Sequence, residues 1–86
     1  MATDNAPGFF NSARRSVALD VSGGDQTLAE VCDGFHCNTA GNVVGRLQGD
    51  SADGTFAVLA GGPYYHRFKS VTQSGTTAAG RFFYLT

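Results

Sequence analysis

From Arg15 onward the chain alternates apolar and polar residues with a period of two. Val17, Leu19 and Val21 face one way and Ser16, Ala18, Asp20 and Ser22 the other, which predicts a half-buried strand. Ser22-Gly23-Gly24-Asp25 is a turn, and residues 26–30 read equally as a helical turn or an extended link. Residues 31–38 predict a second strand with Val31, Asp33, Phe35 and Cys37 on one side. Residues 42–48 predict a third, with Val43, Gly45 and Leu47 sharing a face, and residues 55–60 a fourth, with Phe56, Val58 and Ala60 together. Gly61-Gly62-Pro63 breaks the pattern before the longest candidate, residues 64–72, where Tyr64, His66 and Phe68 oppose Tyr65, Arg67, Lys69 and Val71. Residues 79–85 close the chain with Phe82 and Tyr84 against Phe83 and Leu85.

Short strands at roughly ten-residue spacing, joined by Gly-rich turns, predict an all-β fold: a small antiparallel β-sandwich, jelly-roll-like, or a barrel. No segment holds the 3.6 period for the length a helix needs. Residues 1–12 lack periodicity and read as an extended N-terminal arm, leaving 13–86 as the sandwich domain. The arm carries an apolar pair, Phe9-Phe10, that packs either on its own core or on a neighbouring subunit. The last strand is apolar on both faces, so one face needs a cover beyond the core. Sheet edges need protection too. Both features point to a subunit that works inside an assembly.

Composition narrows the classes. The 86 residues are 42% hydrophobic and 15% charged, too apolar for a disordered chain. Six Lys+Arg against seven Asp+Glu leave a net charge of −1, without the cationic footprint of a general nucleic-acid binder. No apolar run approaches the roughly 20 residues of a membrane span. The N-terminus has neither a basic region nor an apolar stretch of signal-peptide type, so the expectation is a protein made and used in the cytoplasm of its producer.

Cys32 and Cys37, five residues apart, span about 16 Å if extended, too far for a disulfide, whose Cα atoms lie within about 7 Å. A tight turn at Asp33-Gly34 would allow the bridge. The strand reading is preferred, with reduced thiols on opposite faces because their separation is odd. A metal site around His36 is set aside: His66 is the one other histidine, so the ligand set is incomplete. No cofactor is expected.

Catalytic readings are weak. The carboxylates sit mostly at turns, where Asp bonds its own backbone. No nucleophile elbow, P-loop or zincin motif is present. His66 beside Arg67 is read as a half-exposed aromatic rather than a general base. Tyr65, Arg67 and Lys69 share a strand face, with Arg14-Arg15 at the root of the arm, but four cations make only a modest patch. Tyr64-Tyr65 suits a sugar ring, and equally a protein interface.

With the strands laid out, the sequence resembles the small head-spike base proteins of tailed phages and phage-like gene transfer agents. The resemblance runs from Ala6-Pro7-Gly8-Phe9 and Ser12-Ala13-Arg14-Arg15-Ser16-Val17-Ala18-Leu19, through Phe35-His36-Cys37-Asn38-Thr39-Ala40-Gly41-Asn42, to Arg46 and the strand after it. Its most specific part is Arg67, then Val71, then Ser74-Gly75-Thr76-Thr77-Ala78 before a terminal strand. Two departures stand out. The family has a Pro two residues before the Arg where this chain reads Tyr64-Tyr65-His66-Arg67, and its last strand is aliphatic where this one is aromatic. The resemblance implies a non-enzymatic virion structural protein, either a capsid-exterior decoration or the base of a head spike. The alternatives are a tail, neck or fibre-attachment component, and a carbohydrate- or host-surface-binding module.

Its expected partners are further copies of itself in a ring, the major capsid protein or other virion proteins, and a spike or fibre protein, with neither nucleic acid nor membrane. The residues expected at subunit or capsid interfaces are Phe9, Phe10, Arg14, Tyr64, Tyr65, Arg67, Phe82, Phe83 and Tyr84.

Overall fold

Alternating residues punctuated by Gly- and Asp-rich turns form eight strands across residues 13–85, the part of the chain that the computed structural model describes. They are β1 (Arg15–Ala18), β2 (Gln26–Thr27), β3 (Gly34–Thr39), β4 (Gly41–Leu47), β5 (Gly54–Val58), β6 (Pro63–Tyr64), β7 (Phe68–Val71) and β8 (Ala79–Tyr84). The antiparallel pairings nest about the β4–β5 hairpin: β4 with β5, β3 with β6, β2 with β7 and β1 with β8. Two more, β3 with β8 and β4 with β7, knit these pairs into four-stranded sheets of order β1-β8-β3-β6 and β2-β7-β4-β5. The chain is one long hairpin, rolled so that successive pairs go to alternate sheets. This is the jelly-roll form of the expected sandwich.

Rolling also explains where the strands depart from the alternation pattern. β1 and β8 belong to one sheet while β2 and β7 belong to the other, so the chain must cross between sheets twice near its ends. The strand expected to run to Ser22 therefore stops at Ala18, and Leu19 and Val21 turn across to pack on the core. The Asp20 carboxylate accepts bonds from the Ser22 hydroxyl (2.6 Å) and N–H (3.0 Å) in this crossing. Those bonds hold its carboxyl below the usual range. The long candidate at 64–72 divides for the same reason, with β6 in one sheet, β7 in the other and residues 65–67 between them. The undecided segment at 26–30 contributes the short strand β2.

Between the sheets Phe35, Phe68 and Phe82 are fully buried, surrounded by Val43, Val58 and Val71. The Phe82 ring centroid lies 5.3 Å from Phe35 and 5.9 Å from Phe68. Phe68 and Val71 are three apart and would face opposite ways in a regular strand. A bulge resolves this: Leu47 opposes Phe68 but Arg46 opposes Ser70, so Lys69 is the extra residue and both apolar neighbours point inward.

The thiols correct a second expectation. Cys32 and Cys37 are free, and both are buried in the same core rather than on opposite faces, because β3 begins only at Gly34 and Cys32 enters from the bend before it. The Cys32 thiol donates to the His66 carbonyl (3.4 Å) and accepts the Phe68 N–H (3.2 Å), tying that bend to the start of β7.

Candidate functional site

In the sheet β1-β8-β3-β6 the residues that do not point into the core form an outer face. Two rows of cross-strand neighbours make it up. One places Phe83 between Ser16 and Gly34, and the other runs Ala18, Arg81, His36, Pro63. The Phe83 ring lies against Gly34, where a Cβ would come within 2.6 Å of ring carbon Cε2 and of the Tyr64 carbonyl oxygen. Glycine leaves room for the ring, and a larger residue would lift it off the sheet. Tyr65, just past the end of β6, stands edge-on to Phe83 with centroids 5.9 Å apart and is itself 72% exposed. Arg81 Nε donates to the Ser16 hydroxyl at 3.0 Å, which lays its guanidinium along the sheet.

These groups line an open groove of about 380 Å³ whose wall includes Ala13, the first described residue. Phe83 and Tyr65 supply an apolar surface. Arg81 is the one permanent cation among the lining residues, and no carboxylate is among them. Such a surface can take an apolar or aromatic side chain and donate hydrogen bonds at its rim.

The structure divides the expected interface residues. Phe9 and Phe10 lie outside the described residues. Phe83 and Tyr65 face the groove. Phe82 and Tyr84 are instead part of the chain's own core, 0% and 4% exposed, because β8 lies inside its sheet with β1 and β3 on either side. The Tyr84 hydroxyl donates to the Glu30 carbonyl (3.0 Å), the Arg15 guanidinium covers its ring (4.6 Å from the centroid), and burial pushes its pKa up. Tyr64 is half-buried. Its hydroxyl accepts the Leu59 N–H at 2.7 Å and its ring stacks on His66, which packs against Phe56 and Phe68. His66 is thus an aromatic member of the sandwich's packing.

Arg14 is exposed, its N–H donating to the Tyr84 carbonyl at 2.8 Å. The exposed Arg67 lies 3.8 Å from the Asp33 carboxylate. The shared face expected for Tyr65, Arg67 and Lys69 is broken up, because the chain changes sheets between Tyr65 and the β7 bulge at Lys69.

Sequence reasoning missed Ser16, His36, Pro63 and Arg81. Alternation did place His36 opposite Phe35, and Arg81 opposite Phe82. Nothing local says that β8 inserts between β1 and β3 and makes those residues neighbours.

The segment most specific to the resemblance has a structural task. The Thr77 hydroxyl accepts the Asn42 N–H (3.0 Å), and the Thr76 hydroxyl accepts the Val44 N–H (3.0 Å) while donating to the Thr72 carbonyl (2.7 Å). The β7–β8 loop is thereby stitched to β4 beyond the end of the β4–β7 ladder. On the outer surface of the other sheet Asp53 binds Arg46 Nε (3.0 Å) and the Thr72 hydroxyl (2.7 Å), so its charge is matched within the chain. Among the described residues no group of three or more His, Cys, Asp or Glu is arranged to hold a metal ion. No known protein family, curated protein or solved structure matches the chain.

Proposed function

We propose that this chain is a virion structural protein: a capsid-exterior decoration or head-spike base subunit of a tailed phage or phage-like gene transfer agent. It works as a ring-like homo-oligomer seated on the major capsid protein or other virion proteins, with a spike or fibre protein above. The observation that carries this reading is the outward-facing aromatic and arginine surface of Phe83, Tyr65 and Arg81. Aromatic residues and Arg are the types enriched where proteins meet, and Lys, Glu and Asp are depleted there. The jelly roll is an architecture that viral capsid proteins use, and lectins use it too, so the fold alone does not choose between them. The sequence resemblance chooses the particle.

The test is to purify phage or gene-transfer particles from the producing cells and blot them with an antibody against this chain. Enrichment with intact particles, and labelling on their exterior in electron micrographs, is the expected result. Particles that lack the chain would overturn the reading. Labelling confined to tails would move the protein to the tail, neck or fibre-attachment position.

A second reading rests on one feature of the same groove. An exposed Tyr65 beside the donors Arg81 and His36 also suits the apolar face and hydroxyls of a sugar. Saturable glycan binding by a monomeric chain, lost in Tyr65→Ala, would favour a carbohydrate-binding module.

A further inference from the structure

We infer that β1 is a docking edge for an extended acidic segment of a partner protein, which pairs with the backbone of Ser16 and sends an apolar side chain into the Phe83 groove. This rests on the structural-subunit reading in taking the face as a protein interface, and it names the chemistry of what binds there. Backbone, surface and charge each support it.

β1 ends its sheet, with β8 on one side and no strand among the described residues on the other. Residues of an antiparallel strand turn their backbone groups alternately to its two sides. The Leu19 N–H donates to the Gly80 carbonyl at 3.0 Å, toward β8. The Ala18 carbonyl points the other way, where the Gln26 side-chain amide donates to it at 3.0 Å. Ser16, two residues earlier, therefore turns its N–H and C=O to the same outer edge. Open strand edges are templates for a further strand. Gln26 covers this edge at Ala18, so the pairing falls to Ser16.

Both faces of the edge offer apolar contact. On the outer face Ser16 lines the groove beside Phe83, its cross-strand neighbour. Strands lie about 4.8 Å apart, so a strand added beyond β1 is two spacings from β8. An aromatic or long aliphatic side chain leaning over the small Ser16 meets the Phe83 ring across that gap. On the inner face Val17 opposes the core residue Phe82, yet it is 41% exposed because the sheet ends there.

Charge selects an acidic segment. A second open groove, of about 270 Å³, follows the same stretch and is lined by Ala13, Arg14, Arg15 and Ser16. Ala13 and Ser16 belong to both grooves, so the two form one surface. Arg15 is paired with Glu30 at 2.6 Å. Arg14 and Arg81 are exposed without a carboxylate partner among the described residues, and no carboxylate lines either groove. Acidic side chains gain charge-assisted bonds from both guanidinium groups, and a basic segment is repelled. The N–H and C=O at Ser16 favour a polypeptide over a sugar, since another strand matches both.

The test puts photoreactive benzoylphenylalanine in place of Tyr65 in the full chain, made and irradiated in the producing cells. Mass spectrometry reads the sequence joined to it. The expected product is a segment of another protein, rich in Asp and Glu, with an aromatic or long aliphatic residue and no Lys or Arg. That segment is then synthesised and titrated onto the purified full chain. Arg14→Gln/Arg81→Gln is expected to bind it roughly tenfold or more weakly while unfolding as wild type does. At saturation, hydrogen exchange at the Ser16 N–H is expected to slow by roughly tenfold or more, which contacts through side chains alone would not produce.

A cross-link to a basic or uncharged segment, to a glycan or to residues 1–12 of this chain would overturn the inference, as would no cross-link at all. So would an unprotected Ser16 N–H in the bound state. If the cross-link fails while the chain is still found on particles, this contact falls and the structural-subunit reading survives. Particles without the chain would remove that reading by itself.

Discussion

Phe82 and Phe83 are adjacent in one strand and make a matched pair of perturbations, because one side chain points into the core and the other into the groove. Phe82 is fully buried between Phe35 and Phe68. Burying a phenylalanine removes about 150–250 Å² from water, worth roughly 4–6 kcal/mol at 25 cal/mol/Å² as an upper figure. Ala keeps only the first carbon and leaves a sealed void between the sheets, so Phe82→Ala is expected to cost about 3–5 kcal/mol. A domain of this size has about 4–13 kcal/mol in total, so that loss takes a large part of it. Phe83 is only partly buried and its groove is open. Water fills the space in Phe83→Ala, no sealed cavity forms, and the expected cost is about 1–2 kcal/mol.

Urea titration followed by far-UV circular dichroism measures both variants; the chain has no Trp, and its Tyr fluorescence gives a second probe. At about 4–8 °C per kcal/mol the melting temperatures should separate by several degrees at the least. Equal losses from the two variants would refute the assignment of faces on β8. A Phe82→Ala loss under about 1 kcal/mol would refute the packed inter-sheet core.

Three further outcomes follow from the geometry. Gly34→Ala should destabilise by about 1–3 kcal/mol, since its Cβ meets the Phe83 ring and the Tyr64 carbonyl, and a wild-type melting temperature would show that the ring does not rest there. Thr76→Val strips the Val44 N–H of its partner at nearly constant shape; about 1–3 kcal/mol of lost stability is expected from urea curves, and no change would mean the loop is not stitched to β4. Raising the pH should weaken the fold. Burial lifts the Cys32 thiol above its ordinary 9.0 and the Tyr84 phenol above its ordinary 10.0. The unfolded chain therefore gives up these protons first, and the stability they contribute is complete below about pH 9 and declines as pH rises through the shifted values. Melting temperatures from pH 7 upward check this, and the Tyr84→Phe variant should show a shallower decline.

Local patterning along the chain sets the class of fold and most of its inward faces. A period of two in segments too short for anything but strands, cut by Gly and Asp turns, leaves a β-sandwich as the way to bury one face of each strand. Phe35 with Cys37, Val43 with Gly45, and Phe82 with Tyr84 therefore point inward as alternation requires. These are local facts, set by the pleat of each strand.

Long-range strand pairing sets the rest, because partners distant in the chain had to be chosen. Rolling the hairpin sent neighbouring strand pairs to different sheets, which cut short the strand after Arg15 and divided the one after Tyr64. A bulge opposite Leu47 turned Val71 inward beside Phe68, and a bend brought Cys32 to the same side as Cys37. The groove belongs wholly to this second category. Ser16, His36, Tyr65, Arg81 and Phe83 come from four separate stretches of chain, and only the insertion of β8 between β1 and β3 makes them one surface.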